Sequence, residues 1–186
     1  MTPDAPLTGR LLVATPALGD PNFDRTVVLI LEHADEGAVG LVLNRPSDTE
    51  VREPLPEWDD LTADPSVIFV GGPVEQKAVI GLARRGATDV EERWRPLVGG
   101  VGIVDLGRGP DDLLPAVEDL RLFAGYAGWG AGQLEGEIEA GAWWVVDASP
   151  DDACSRHPER LWTAVLRRQR SRLAMYADFP VDPSVN

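Results

Sequence analysis

Asp20, Asn22 and Asp24 alternate through the stretch GDPNFD, and Arg25 follows directly. Further along, the apolar run AVGLVL ends in Asn44, Arg45 and Pro46. If the two apolar segments between these points form a hairpin turning at 34–37, then Asp20, Asn22, Asp24, Arg25, Asn44 and Arg45 gather at its open end. Amide, carboxylate and guanidinium groups in one place form a rim suited to an anionic or nucleotide-like ligand. Gly71 and Gly72, in VGGP, would add backbone N–H groups of the kind that receive an anion. Plainer readings stand beside this one. Asn and Asp satisfy turn backbone, Arg45 pairs with Asp24, and Gly-Gly-Pro simply ends a strand.

Other constellations fail on spacing. GRGPDD (107–112) has two glycines of a dinucleotide fingerprint but Asp112 where the third belongs, which would face a pyrophosphate. The sole lysine, Lys77, lies outside any phosphate-binding loop. Asp20, Asn22 and Asp24 open like a calcium loop, but Arg25 stands where the sharp turn needs Gly and Leu31 where Glu closes the set. His33, Cys154 and His157 are not spaced as zinc ligands. Ser66 and Ser149 show no partner base, and no G-x-S-x-G elbow occurs. No activated nucleophile or acid/base pair can therefore be named, the catalytic residues of any enzyme here stay unknown, and no metal or cofactor is expected. Cys154, the single cysteine, reads as a small apolar side chain rather than a reactive thiol.

The elements that must position these residues are mostly strands. RLLVATP (10–16), TVVLILEH (26–33), AVGLVLNRP (38–46), SVIFVGGP (66–73), AVIGLARR (78–85), VGIVDL (101–106), RLFAGYAG (121–128) and AWWVVDA (142–148) are short, apolar and rich in β-branched residues. The 26–33 segment is apolar without alternation at its centre, as in a strand buried on both faces. It should pair antiparallel with 38–45. Residues 47–66 read as a loop with a short helix around Trp58, and the charged stretch before Val101 reads as another loop. PDDLLPAVEDL (110–120) has the proline and acidic residues of a helix start. HPERLWTAVLRRQ (157–169) is the clearest helix, with Leu161, Trp162, Val165 and Leu166 on one stripe and Arg160 and Arg167 opposite. The expectation is an α+β fold in which residues 1–186 form one domain, a mostly antiparallel sheet with a few packed helices.

GYAGWGAGQLEGEI (125–138) spends five glycines in one stretch. It reads as a strand ending near Tyr126, a glycine loop over 127–131 and a helix from about Gly132. Gly128 and Gly130 are expected to take positive φ or a close backbone approach. Trp129 would be core or rim: in one reading a half-buried ring whose N–H borders a pocket, with Gln133 as an adaptable polar neighbour, and in the plainer one a core side chain in a stretch whose glycines and tryptophans only determine the fold. Leu134 and Ile138 should share one helix face, with Glu135 and Glu139 on a more exposed one.

Composition sets further limits. The chain carries a net charge of −14, which argues against a general nucleic-acid coat. Residues 156–172 run the other way, with six arginines against one glutamate. Any nucleic-acid contact is therefore expected to be weak and to use Arg167, Arg168, Arg170 and Arg172. The plainer account is a solvated helix end. The longest apolar run is too short to span a membrane, and MTPDAPLTGR has no basic-then-apolar pattern of a secretory signal. A cytoplasmic protein is expected, without membrane association.

The series RLLVATPALGDPNFDRTVVLILEH, GAVGLVLNRP, VGGPVE, FAGYAGWGAGQLEGEIEAGAWW and LW resembles the bacterial AlgH/YqgE family over nearly the whole chain, in order and at matching spacing. The resemblance implies a compact domain of strands and helices with no helix-turn-helix and no agreed cofactor or catalytic residues. It also implies a regulatory protein, since members carry the label of transcriptional regulator. Two function classes follow: a regulatory protein that binds a small molecule or a partner protein, and an enzyme on an anionic or nucleotide-like substrate with Asp20, Asn22, Arg45, Gly71 and Gly72 at its site.

Overall fold

Both faces of the amino-terminal strands are covered, which explains their unbroken apolar runs. The computed structural model describes residues 6–86, 93–113 and 116–180. In β1 (Arg10–Ala14) and β2 (Val27–Ala34), Leu11, Val13, Val27, Leu29 and Leu31 enter one core cluster. Their alternates Leu12, Ala14, Val28 and Ile30 enter a second on the opposite face. β3 (Gly37–Val42) pairs antiparallel with β2, bringing His33 opposite Ala38 across a tight turn. The expected central hairpin is present.

β4 (Pro46–Glu50), β5 (Val67–Val70), β6 (Val74–Arg85), β7 (Trp94–Val98) and β8 (Val101–Val104) follow. The long β9 (Val117–Gly130) joins the two halves of the sheet. α1 (Gln133–Glu139), β10 (Trp143–Asp147) and α2 (Leu161–Arg167) complete the chain. Ten strands run in the order β10-β1-β2-β3-β9-β6-β8-β7 among the described residues, with β5 parallel to β9 and carrying β4. The other strand pairings among the described residues are antiparallel, and an isolated parallel bridge joins Thr62 to Leu120. The fold is the expected α+β arrangement, a curled, mostly antiparallel sheet with a few helices. No helix among the described residues is long and apolar enough to cross a membrane.

The stripe Leu161, Trp162, Val165 and Leu166 lies in the first cluster, so α2 seals one face of the curled sheet. Leu134 of α1 enters the second cluster with Trp129 and Trp143. A third cluster on the outer face of the other half joins Ile68, Leu120 and Leu122 to Trp58, which sits in the 3-10 turn Pro56–Leu61. The short helix expected around Trp58 is this turn.

Three expectations give way to pairing. The proposed helix at 110–120 is a single 3-10 turn, Pro110–Leu113, and from Val117 the chain is strand. Its acidic start suits one helical turn, but Val117 to Leu122 pair with β6 and bury Leu120 and Leu122, which outweighs local propensity. β4 and β7 occupy stretches read as loop: β4 is a polar strand whose partner β5 lies beyond the Trp58 turn, and β7, interrupted by Arg95 and Pro96, is half of a tight hairpin with β8. Of the charged loop expected before Val101, residues 87–92 lie outside the described residues.

The proposed glycine loop at 127–131 is also mostly strand, since β9 continues to Gly130 and pairs with β3. Gly128 and Gly130 show no positive φ, and a Cβ at Gly128 would meet only ordinary contacts. Gly132 takes φ 72° at the start of α1, and the position in this stretch that is both left-handed and crowded is Gly125. Its φ is 73°, and a Cβ there would lie 2.5 Å from the Gly72 carbonyl oxygen. It also changes the parity of the strand. Phe123 and Tyr126 pack with the first cluster, whereas Ala127 and Trp129 belong to the second. One residue in the left-handed region shifts the alternation by one, so a single strand serves two half-sheets.

Candidate functional site

The register of three strands places Val70, Ala124 and Val79 side by side, so their side chains share one face. Phe69, Phe123 and Ile80, one position away, turn to the interior. Further along the outer face the segment around Leu55 and Trp58 covers the sheet. At this row it does not. Val70 and Val79 remain 38% and 37% exposed. They line a groove of about 440 Å³ with Ala124, Ile68, Leu55, Pro54, Ser47, Thr49 and Gln76.

A second cavity of about 300 Å³ shares Val70 and Gln76 with the groove and extends to Asn22, Val42, Arg45 and Gly72. It opens where β5 leaves β9. There Gly71 donates its N–H to the Ala124 carbonyl at 2.8 Å and accepts from the Val42 N–H at 2.8 Å, so one residue bridges β9 and β3. A third feature borders both spaces. Between the pairs Val74–Tyr126 and Val79–Ala124 the first strand contains extra residues, and within this bulge Glu75 adopts φ 45°. Bulges and left-handed non-glycine residues are costly, and they concentrate at working surfaces.

The residues singled out from the sequence divide between this site and other work. Asn22, Arg45 and Gly72 come together in the polar cavity. Asp20 stands behind them, accepting the Asn22 N–H at 2.9 Å in an Asx turn. Asn44 is spent on backbone, accepting from the Val27 N–H and donating to the Arg25 carbonyl. Arg45 does not pair with the Asp24 carboxylate as expected; its Nη2 donates to the Asp24 backbone carbonyl at 2.6 Å. Arg25 turns away from the cluster to stack on Trp162 at 4.4 Å. The Gly71 N–H, proposed for an anion, is taken by Ala124.

Gly128, Trp129 and Gln133 lie apart from this groove. Trp129 is more deeply buried than the half-buried ring anticipated, although its edge lines a separate cavity of about 260 Å³ with Glu32, Gly37 and Val39. It is 7% exposed and packs edge-on to Trp143 at 6.2 Å. Its indole N–H and that of Trp143 both donate to Glu137, at 3.0 and 2.8 Å. Gln133 accepts the Gly130 N–H and donates to Glu137. Glu135, expected on an exposed helix face, is 2.6 Å from His33 Nε2. Since His33 Nδ1 accepts the Leu7 N–H, the ring proton lies on Nε2 and donates to that carboxylate. The backbone N–H of Glu135 and then His33 hold its carboxyl below the ordinary range. Every polar side chain of the helix named here ends on a protein partner.

The arginine-rich segment is largely neutralised. Arg168 makes a bidentate pair with Asp152, Arg167 reaches Asp178 and Arg156 reaches Asp64. Arg170 and Arg172 have no carboxylate partner among the described residues. Burial pushes the Cys154 thiol up to about 12, so it stays protonated, and its S–H donates to the Asp119 carbonyl.

Sequence reasoning missed Val70, Gln76, Val79 and Ala124, because an apolar run such as VIFV gives no sign that one face stays bare. It also missed Arg121, which is 1% exposed. Its guanidinium stacks on Phe69 at 4.2 Å and clamps the carbonyls of Asp64 and Ser155, each at 2.7 Å.

Comparisons agree with this architecture. The family model described as AlgH-like matches residues 11–174. A UPF0301 protein of Streptomyces coelicolor is 54% identical over 190 residues, covering 100% of this chain and 98% of that protein. Another, from Mycobacteroides abscessus, is 46% identical and covers 96% and 87% respectively. A crystal structure of a Corynebacterium diphtheriae protein superposes with a TM-score of 0.89 at 35% identity, covering 96% of this chain and 95% of that one. The solution structure of the AlgH protein from Pseudomonas aeruginosa gives 0.67 at 28% identity, with 98% of each covered. With one fold, one order of segments and relatives aligned end to end, this chain belongs to the AlgH-like, UPF0301 family.

Proposed function

We propose that this chain is a regulatory binding protein whose receiving surface is the groove over Val70, Ala124 and Val79 and the polar cavity beside it. The observation that carries this reading is the bare apolar row itself, left open beside the part of the same sheet face that packs against Leu55 and Trp58. Two cavities of about 440 and 300 Å³ are each of a size that holds a small molecule.

Binding is favoured over catalysis by what lines the two spaces. Ser47 and Thr49 supply hydroxyls, and Ser47 donates its proton to the Ile68 carbonyl. No histidine or carboxylate lines either space among the described residues, so no base stands ready to activate a nucleophile. Nucleic-acid contact plays at most a weak, salt-sensitive part in this reading, through Arg170 and Arg172.

The test is a titration of the 15N-labelled protein with decanol as a neutral apolar probe. Amide shifts are expected at Ile68, Val70, Val79 and Ala124, and Val79→Lys is expected to abolish them while leaving the melting temperature within a few degrees. Shifts spread equally over other exposed apolar residues, such as Met175 and Phe179, would sink the proposal.

A further inference from the structure

We infer that the occupant of this groove is a small amphiphile with a carboxylate head at Arg45 and an apolar tail over Val70, Ala124 and Val79. The inference rests on the groove being a binding surface, and adds the chemistry of what it holds. Its first support is charge. The chain has 31 acidic residues and a net charge of −14, yet among the described residues no carboxylate lines either cavity, and Arg45 is the one charged residue there. In a field so negative, an uncompensated guanidinium is the place where an anion is tolerated and a cation is not.

The second support is how Arg45 is held. Its bond to the Asp24 carbonyl fixes the guanidinium without neutralising it, since a carbonyl removes a donor and leaves the charge. A guanidinium held in this way matches the planar fork of a carboxylate. A dianion would meet a single cation and the strongly negative remainder of the protein, so a monoanion fits better. Asn22 and Gln76 stand beside it as amides able to donate to the second oxygen.

The third support is the junction. Val70 and Gln76 belong to both spaces, so a molecule anchored at Arg45 runs directly over the exposed valines, where the described residues that line the groove carry no charged side chain. The extent of this surface decides between a small molecule and a protein. A stable protein interface buries about 800 Å² on each partner, whereas here the exposed apolar surface comes down to two partly covered valines and their neighbours.

The experiment compares decanoate, decyltrimethylammonium, decanol and butyrate at pH 8, below their critical micelle concentrations, by amide chemical shift and calorimetry. Decanoate is expected to bind at least about tenfold more tightly than the cation, and butyrate to fail for want of a tail. Arg45→Gln should weaken decanoate about tenfold, the worth of one charge-assisted hydrogen bond, and leave decanol unchanged. Arg45→Lys should restore part of the loss, which separates charge from a merely structural role, and melting curves verify that both variants fold. Equal binding of decanoate and the cation, or an indifferent Arg45→Gln, overturns the head-group assignment while decanol still reports the groove. If neither decanol nor decanoate shifts Val70 and Val79, the groove itself is not a binding surface and both readings fall. A short peptide with a free carboxyl terminus and apolar side chains that displaces decanoate at lower concentration would replace the small amphiphile with a protein terminus.

Discussion

The segment from Gly125 to Trp143 and the groove around Val70 invite opposite first impressions. The former is dense in glycine and tryptophan and looks like a site. Yet its polar groups are satisfied internally: Glu137 accepts two indoles, Glu135 takes His33, and Gln133 ties the strand end to the helix. The groove is built from ordinary valines, an alanine and a glutamine, and it is there that apolar surface and an uncompensated arginine are left open. A buried polar group must find a partner or cost stability, so a segment that packs many polar side chains against a core is tightly constrained in sequence. A surface that receives something from outside needs only shape and a few donors. In this protein, density of motif therefore marks tertiary constraint.

The largest test of that contrast is Trp129→Ala. Removing a buried indole from between Phe23, Trp143 and Leu134, with its bond to Glu137, is expected to cost about 3–5 kcal/mol in urea unfolding. Decanol binding to the folded fraction should be unchanged. Loss of binding without loss of stability would return Trp129 to the site.

Next comes a pair of glycines. Gly125→Ala places a Cβ against the Gly72 carbonyl at a φ of 73°, and the backbone conformation alone should cost about 1–3 kcal/mol. Gly128→Ala sits in strand with room around it, and is expected to shift stability by less than about 1 kcal/mol, toward greater stability. Equal losses at the two positions would show that the parity change at Gly125 is not what the stretch is built around.

The smallest effect is a pH dependence. The Glu135 carboxyl is held below its ordinary value by its own backbone N–H and by His33. A depressed carboxyl contributes stability that is complete above the unfolded-state value, about 4.3, and is lost as pH falls through the folded-state value. Glu135→Gln should therefore flatten the fall in stability below about pH 4.3 and leave the curve at pH 7 with the same slope. An unaltered acid limb in the variant would mean that the contact with His33 is not maintained in solution.

Much of this was legible from residues alone. The continuous apolar runs of β1 and β2 announced burial on both faces, and the stripe Leu161, Trp162, Val165 and Leu166 announced the helix that seals one of them. The polar end of the site was half legible, because a hairpin fixes where its ends lie: Asn22 and Arg45 had to approach once β2 and β3 paired. The turn at 110–113 and the strand from Val117 were not, since a proline with acidic neighbours specifies a helical first turn whatever follows.

By itself the sequence determined the family, the two-faced strands and the helix that packs on them, all of which depend on composition and period along the chain. Tertiary structure alone decided which apolar residues stay bare and which polar ones are spent. Val70 and Phe69 are equally apolar neighbours, and only the strands beside them and the reach of the Leu55 segment bury one and leave the other open. Arg45 and Arg168 are equally basic, and only the position of Asp152 neutralises the second. Exposure and pairing are properties of neighbours brought together by the fold, and in this chain those neighbours are distant in sequence.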